Sequence, residues 1–234
     1  MARIAARQTL LIDADDTLWE NNIYFERAIA RFISYLDHQS HSREQVRECI
    51  NTCEARNIQA IGYGLRSFEQ SLVDCFATLC SSPIGDADEK RIAEFAHEIA
   101  VQEIELLPEV QLTLEHLGQR HHLILVTKGH PVEQTDKLRR SQLDHLFRDV
   151  EVLPEKDAAA YHLLQQKHSL DPQRSWMIGN SPKSDINPAL AAGLHAVFVP
   201  HAQTWILEHT ELAAAEPPQQ LLRVERFADL THIF

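Results

Sequence analysis

Cysteine is scarce, with four in 234 residues, and a chain of that length can bury a sizeable core without a disulfide framework. No Cys-x-x-Cys and no His-Glu-x-x-His occurs. The cysteines and the 14 scattered histidines therefore lack the spacing of a structural metal site. Cys49 and Cys53 instead share an apolar helical stripe with Val46 and Ile50 and read as buried thiols of a reducing cytosol. No apolar run approaches the roughly 18 residues that span a bilayer. The N-terminal stretch has two arginines but no long apolar segment before Asp13, so no signal peptide is expected and a cytoplasmic location is. Cations are outnumbered, 22 Lys and Arg against 34 Asp and Glu, for a formal net charge of -12. Such a surface repels phosphate backbones and argues against a nucleic-acid partner. Internal repeats and low-complexity segments are absent. The 44% apolar and 24% charged residues belong to an ordinary globular chain of one large or two small domains.

Thr9-Leu-Leu-Ile12 reads as a buried strand ending in Asp13. From about residue 20 to 105 the apolar residues follow helical spacing in four stripes, with breaks at Gly62-Tyr63-Gly64 and Ser81–Gly85. Pro108 is expected to open a further helix. Beyond it strands alternate with helices. Strands are expected at 122–126, 149–153, 175–178 and 196–199, helices at 132–141, 158–168 and 186–192, and an edge strand at 223–227. That alternation predicts a Rossmann-like α/β fold, a doubly wound parallel sheet. The expected division is a core of residues 1–19 and 106–234 with an all-helical cap of residues 20–105 inserted after the first strand. Ligands of open α/β sheets bind outside the carboxyl ends of the strands.

Four strand ends carry chemistry: Asp13-Ala-Asp15-Asp16-Thr17, Thr127-Lys128-Gly129, Pro154-Glu155-Lys156 and Gly179-Asn180-Ser-Pro-Lys183-Ser-Asp185. In an extended backbone Asp13 and Asp15 point the same way. Two such carboxylates suit a nucleophile with a general acid/base, or a magnesium ligand set; the plainer alternative is an Asp-rich turn capping a helix. Thr127 and the following N–H can bind an anion. Lys156 can neutralise Asp13 and a phosphate together, or lie solvated on the surface. Asp185 is a metal ligand or an N-cap.

These residues resemble the haloacid dehalogenase-like hydrolase superfamily. Leu11-Ile12-Asp13-Ala14-Asp15-Asp16-Thr17 matches its first motif, Leu123–Thr127 the second, Lys156 the third and Gly179–Asp185 the fourth. The resemblance implies a phosphatase of small phosphorylated metabolites. Asp13 would attack phosphorus, and Asp15 would act as general acid and base. Magnesium would be held by Asp13, the Asp15 carbonyl and Asp185, with Asn180 as a further ligand. Phosphate would be held by Thr127, the Lys128 N–H and Lys156. One divalent ion and one or two lysines would then reverse the local field despite the charge of -12.

Two departures stand out. Asn180 replaces a frequent Asp, which predicts weaker metal affinity. Asp157 follows Lys156 where proline is more common, which makes Lys183 a second candidate for the lysine role. Two other functions compete: carbon–halogen hydrolysis of a 2-halo acid, which tolerates Asn in the fourth motif but does not keep Asp15, and a non-catalytic phospho-ligand scaffold. Tyr63 and Arg66, beside two glycines, are the candidates for substrate contact, against the plain alternative of a helix stop and restart. Trp19 is expected to pack. The particular substrate, transfer to a sugar rather than water, and the oligomeric state are not legible.

Overall fold

The computed structural model describes residues 4–36, 41–80 and 83–234. Residues 81 and 82 of the expected Ser81–Gly85 break lie outside the described residues. In chain order, β1 (Thr9–Ile12) is followed by the helices α1 (Asn22–Tyr35), α2 (Arg43–Ile61), α3 (Leu65–Leu79) and α4 (Asp86–Ala100). Then come α5 (Val110–Gly118), β2 (His122–Lys128), α6 (Pro131–Ser141), β3 (Asp149–Leu153), α7 (Ala158–His168), β4 (Ser175–Gly179), α8 (Asn187–Ala191), β5 (His195–Phe198) and β6 (Leu221–Arg223). The chain divides into two compact units, residues 1–20 with 104–234, and residues 21–103. Among the described residues no helix is long and apolar enough to cross a membrane.

The first unit is a six-stranded parallel sheet in the order β3-β2-β1-β4-β5-β6, with β1 at its centre. Alternating side chains of each strand leave on opposite faces. Leu10 and Ile12 join Leu123, Leu125, Trp176 and Ile178 in the cluster that α5 and the C-terminal residues Phe227, Leu230 and Phe234 cover. Leu11 joins Ile124, Val126 and Met177 in a second cluster, under Tyr161 and Leu164 of α7 and Ala189 of α8. Both faces are therefore covered, which is why these strands read as continuous apolar runs. Truncating Leu11, which is fully buried, to Ala would cost about 2–5 kcal/mol.

The second unit packs four helices around Phe32, Ile50, Leu72, Ile92 and Phe95. A capping box of Ser42 and Gln45 starts α2, and Gly62 (φ +93°) stops it. Gly64 (φ +124°) precedes α3. The left-handed region costs glycine little, so the chain can halt one helix and begin the next within three residues. The four thiols are free, with Cys53 and Cys75 buried and Cys49 and Cys80 half-buried.

Several expected boundaries move. Pro108 does not open a helix: Glu109 takes a left-handed φ of 61°, and α5 starts at Val110. β2 continues through Thr127 and Lys128 because β3 pairs with it that far. The edge strand lies at 221–223 rather than 223–227: the chain bends at Glu225 and Arg226, and Phe227 opens a 3-10 turn. The helix expected at 186–192 begins as a π turn, Pro182–Ile186, before α8.

Candidate active site

β1 delivers Asp13. Its N–H continues the ladder to Ile178 O at 2.9 Å, which leaves the side chain just past the strand's carboxyl end. Asp13 Oδ1 accepts from Lys156 Nζ at 2.5 Å, and Oδ2 accepts from the Thr17 hydroxyl at 2.8 Å. Thr17 is therefore more than a turn residue: it fixes the Asp13 carboxylate. Lys156 Nζ donates equally to Asp185 Oδ1, at 2.8 Å. All three side chains of this cluster are at most 9% exposed. Lys156 is no solvated lysine, and Asp157, the unexpected residue after it, caps α7 by accepting from Ala160 N at 2.8 Å. Lys183 is excluded from the lysine role; it is exposed and donates to Leu207 O.

Asp185 is not an N-cap. Ser181 caps the π turn, its side chain accepting from Ser184 N, while Asp185 Oδ2 accepts from Ser181 N at 2.9 Å. The carboxylate packs on Gly179 so closely that a Cβ there would lie 2.2 Å from Asp185 Oδ2. Burial, then the neighbouring Asp13, push the Asp185 carboxyl up to about 7 against the pull of Lys156. Burial pulls the Lys156 ammonium down, but Asp13 and Asp185 outweigh it, and its pKa lies above the ordinary value. Lys156 is thus a permanent cation shared by two acids.

Asn180 is buried. Its Nδ2 donates to Thr204 Oγ1 at 3.0 Å, and its Oδ1 lies 3.4 Å from the Thr17 hydroxyl. Thr127 is buried at the end of β2. Lys128 beside it turns its ammonium to Ser184 Oγ (2.7 Å) and Glu208 Oε1 (2.6 Å).

Asp15 has other partners. Its Oδ1 accepts from the Trp19 indole N–H (2.7 Å) and Lys137 Nζ (2.9 Å), and its Oδ2 from Gln134 Nε2 and Lys137 Nζ, both at 3.0 Å. Burial pushes the carboxyl up, but Lys137 with the Gln134 and Trp19 bonds more than offsets it, so the pKa lies below the ordinary value. Trp19 therefore packs and also holds a site residue. Asp13, Asp15, Thr127, Lys128, Lys156, Asn180 and Asp185 all stand at or just beyond the carboxyl ends of the strands. Tyr63 and Arg66 belong to the four-helix unit, in and just after the turn between α2 and α3.

Sequence reasoning did not find Gln134, Lys137 or Glu208. The first two lie three apart on one face of α6, a polar spacing that would have identified them together. Glu208 sits in an aperiodic connection with no such signal. Asp16, Glu20 and His201 form a further group with ligand atoms within 4.8 Å of one another, a spacing that could hold a metal ion. It lies beside the expected ligand set and shares no residue with it.

Residues 8–193 match the family of haloacid dehalogenase-like hydrolases. The fold is similar to a haloacid dehalogenase-like family hydrolase from Xanthomonas campestris (TM-score 0.81, 26% identity, 97% of this chain and 94% of that one). It also resembles a predicted phosphoglycolate phosphatase from Haemophilus somnus (TM-score 0.63, 21% identity, 97% of each chain). A third similar structure is a 2-haloacid dehalogenase from Pseudomonas syringae (TM-score 0.61, 18% identity, 97% of each chain). No curated protein matches significantly. The family match spans most of the chain and includes all four chemistry-bearing strand ends: this protein belongs to the haloacid dehalogenase-like hydrolases.

Proposed function

We propose that the protein is a magnesium-dependent phosphatase of small phosphorylated metabolites that works through an aspartyl-phosphate on Asp13. The observation that carries this is Asp15, a second carboxylate two residues beyond the nucleophile, kept in place by three side chains. Carbon–halogen displacement needs no such proton-transfer group, whereas expulsion of an alcohol does.

The donor set fits a hard cation. Asp13 and Asp185 share the single ammonium of Lys156 and are almost wholly enclosed; the crowding that pushes the Asp185 carboxyl up to about 7 is what one further cation would relieve. Asp13, the Asp15 carbonyl, Asn180 and Asp185 are the oxygen donors that would hold magnesium. When bound it supplies positive charge against the phosphate oxygens. Thr127, the Lys128 N–H and Lys156 hold the phosphate and orient it. An Asp13 oxygen bonds to phosphorus as the bond to the alcohol oxygen breaks, and Asp15 gives that oxygen a proton. In the second half Asp15 takes a proton from the water that attacks phosphorus, and Asp13 is released with orthophosphate. Lys137 favours the ionised form of Asp15 that the second half requires and opposes the protonated form that the first half requires.

In the same proposal the four-helix unit is the cap, with Tyr63 and Arg66 as its substrate-selecting residues. The net charge of -12 favours a small substrate over nucleic acid, and four free thiols suit the cytoplasm. One observation favours the alternative, hydrolysis of a 2-halo acid. Lys156 already lets Asp13 and Asp185 coexist, and Asn180 adds no charge. A panel of phosphorylated metabolites assayed with and without magnesium, beside chloride release from 2-chloropropionate, decides between them. Magnesium-dependent phosphate release is expected; chloride release alone would overturn the proposal.

A further inference from the structure

The connection between β5 and β6 crosses the turn after β4 at several points. Asn180 Nδ2 donates to Thr204 Oγ1 and Lys183 Nζ to Leu207 O, both at 3.0 Å. Glu208 Oε2 accepts from the hydroxyls of Ser181 and Ser184. The other oxygen of Glu208 accepts from Lys128 Nζ at 2.6 Å, and Lys128 closes the triangle by donating to Ser184 Oγ at 2.7 Å. Glu208 is buried, with its side chain 8% exposed. Burial pushes its carboxyl up, but Lys128 and the two hydroxyls outweigh that and keep it ionised.

Glu208 bonds to none of Asp13, Lys156 and Asp185, yet its three partners flank the groups that do the chemistry. Lys128 follows Thr127 on β2, Ser181 caps the turn that carries Asp185, and Ser184 directly precedes Asp185 in it. Without Glu208 the Lys128 ammonium would be a mostly buried cation lacking its nearest counter-charge. The end of β2 and the turn after β4 would then be joined side chain to side chain by the Lys128–Ser184 bond without the carboxylate that holds both partners.

We infer that Glu208 is a positioning residue: its one buried carboxylate ties the phosphate-binding end of β2 to the turn bearing Asp185, and takes the Lys128 ammonium out of the phosphate site. This rests on the phosphatase proposal and deepens it.

The test uses the full chain with magnesium and inorganic phosphate as probe, read by product inhibition and by titration calorimetry. For E208Q the phosphate constant is expected to rise about tenfold, the size of one lost charged hydrogen bond. K128M is expected to raise it similarly. The double variant should be no worse than either single one, because both break the same tie. An E208Q constant within about twofold of wild type, or additive losses in the double variant, would overturn the inference. Should E208Q not fold, S184A removes a hydroxyl from the same carboxylate and keeps both charges. A constant raised a few-fold is then expected, and an unchanged one counts against the inference. Wild type that neither binds phosphate nor hydrolyses any ester defeats the phosphatase proposal and this inference with it. Active wild type beside an unaltered E208Q defeats this inference alone.

Discussion

Both units carry exposed ion pairs, but only the α/β unit, among the described residues, also encloses a charge cluster. In the four-helix unit the ion pairs among the described residues are exposed or half-buried. Arg56 and Asp74 are 63% and 25% exposed, Arg91 and Glu94 41% and 46%. Water and salt screen such pairs, and each is worth about 0–1 kcal/mol. In the α/β unit Lys156, Asp13 and Asp185 are almost wholly enclosed. Enclosing three charges costs more than attraction alone returns unless geometry is good and every lone pair is met. In the proposed function the strand ends retain that cost because the chemistry uses it.

That contrast can be broken most directly at Asp13. D13N should lower phosphate release by about a thousandfold or more, since it removes the attacking oxygen's charge. If neither form turns over and both bind phosphate, the protein is a non-catalytic scaffold. Next comes stability. K156M strands two buried carboxylates and should cost about 3–5 kcal/mol in a denaturant titration of the metal-free protein. R56A in the helical unit should cost no more than about 1 kcal/mol by the same measurement. Equal losses would erase the distinction between the units. G179A forces a Cβ into Asp185 and should cost about 1–3 kcal/mol, with activity falling as the carboxylate shifts.

The smallest effects concern pH. Asp185 has a folded pKa of about 7, above its ordinary value. Its contribution to stability is therefore full below the ordinary carboxylate range and is lost as pH rises through about 7. D185N should flatten that decline in the metal-free protein. Asp15 has the opposite sign. Its pKa is lowered, so its contribution is present above the ordinary value and lost as pH falls through the folded one. K137M should let the Asp15 pKa rise and move the acidic limb of the rate profile upward; an unmoved limb would detach Lys137 from Asp15.

Much of the fold was legible locally. Strands β1 and β3 and helix α7 are where the residue pattern puts them; in β1 burial on both sheet faces explains the apolar run, whereas in β3 the buried residue is Glu151 and Val150 is exposed. The misplaced elements share a cause. At Glu109 a left-handed residue delays a helix, and Val224 and Phe227 are buried from just past the end of β6 and from a 3-10 turn rather than from one strand. Apolar residues report burial, not the backbone that achieves it. In the site, Asp13 and Asp15 were visible as a pair, but the different surroundings of the two carboxylates were not.

The order of apolar and polar residues alone determined a strand-and-helix chain with two acids at the end of its first strand. Neighbours within a few residues settle both. Only the folded chain chose between a solvated Lys156 and one that serves an aspartate 143 positions away, and revealed that Lys137 reaches Asp15 across 122 and that Glu208 meets Lys128 across 80. Hydrogen bonds and charge pairs act over a few ångströms of space. A parallel sheet brings distant strand ends within that reach without leaving any period in the sequence.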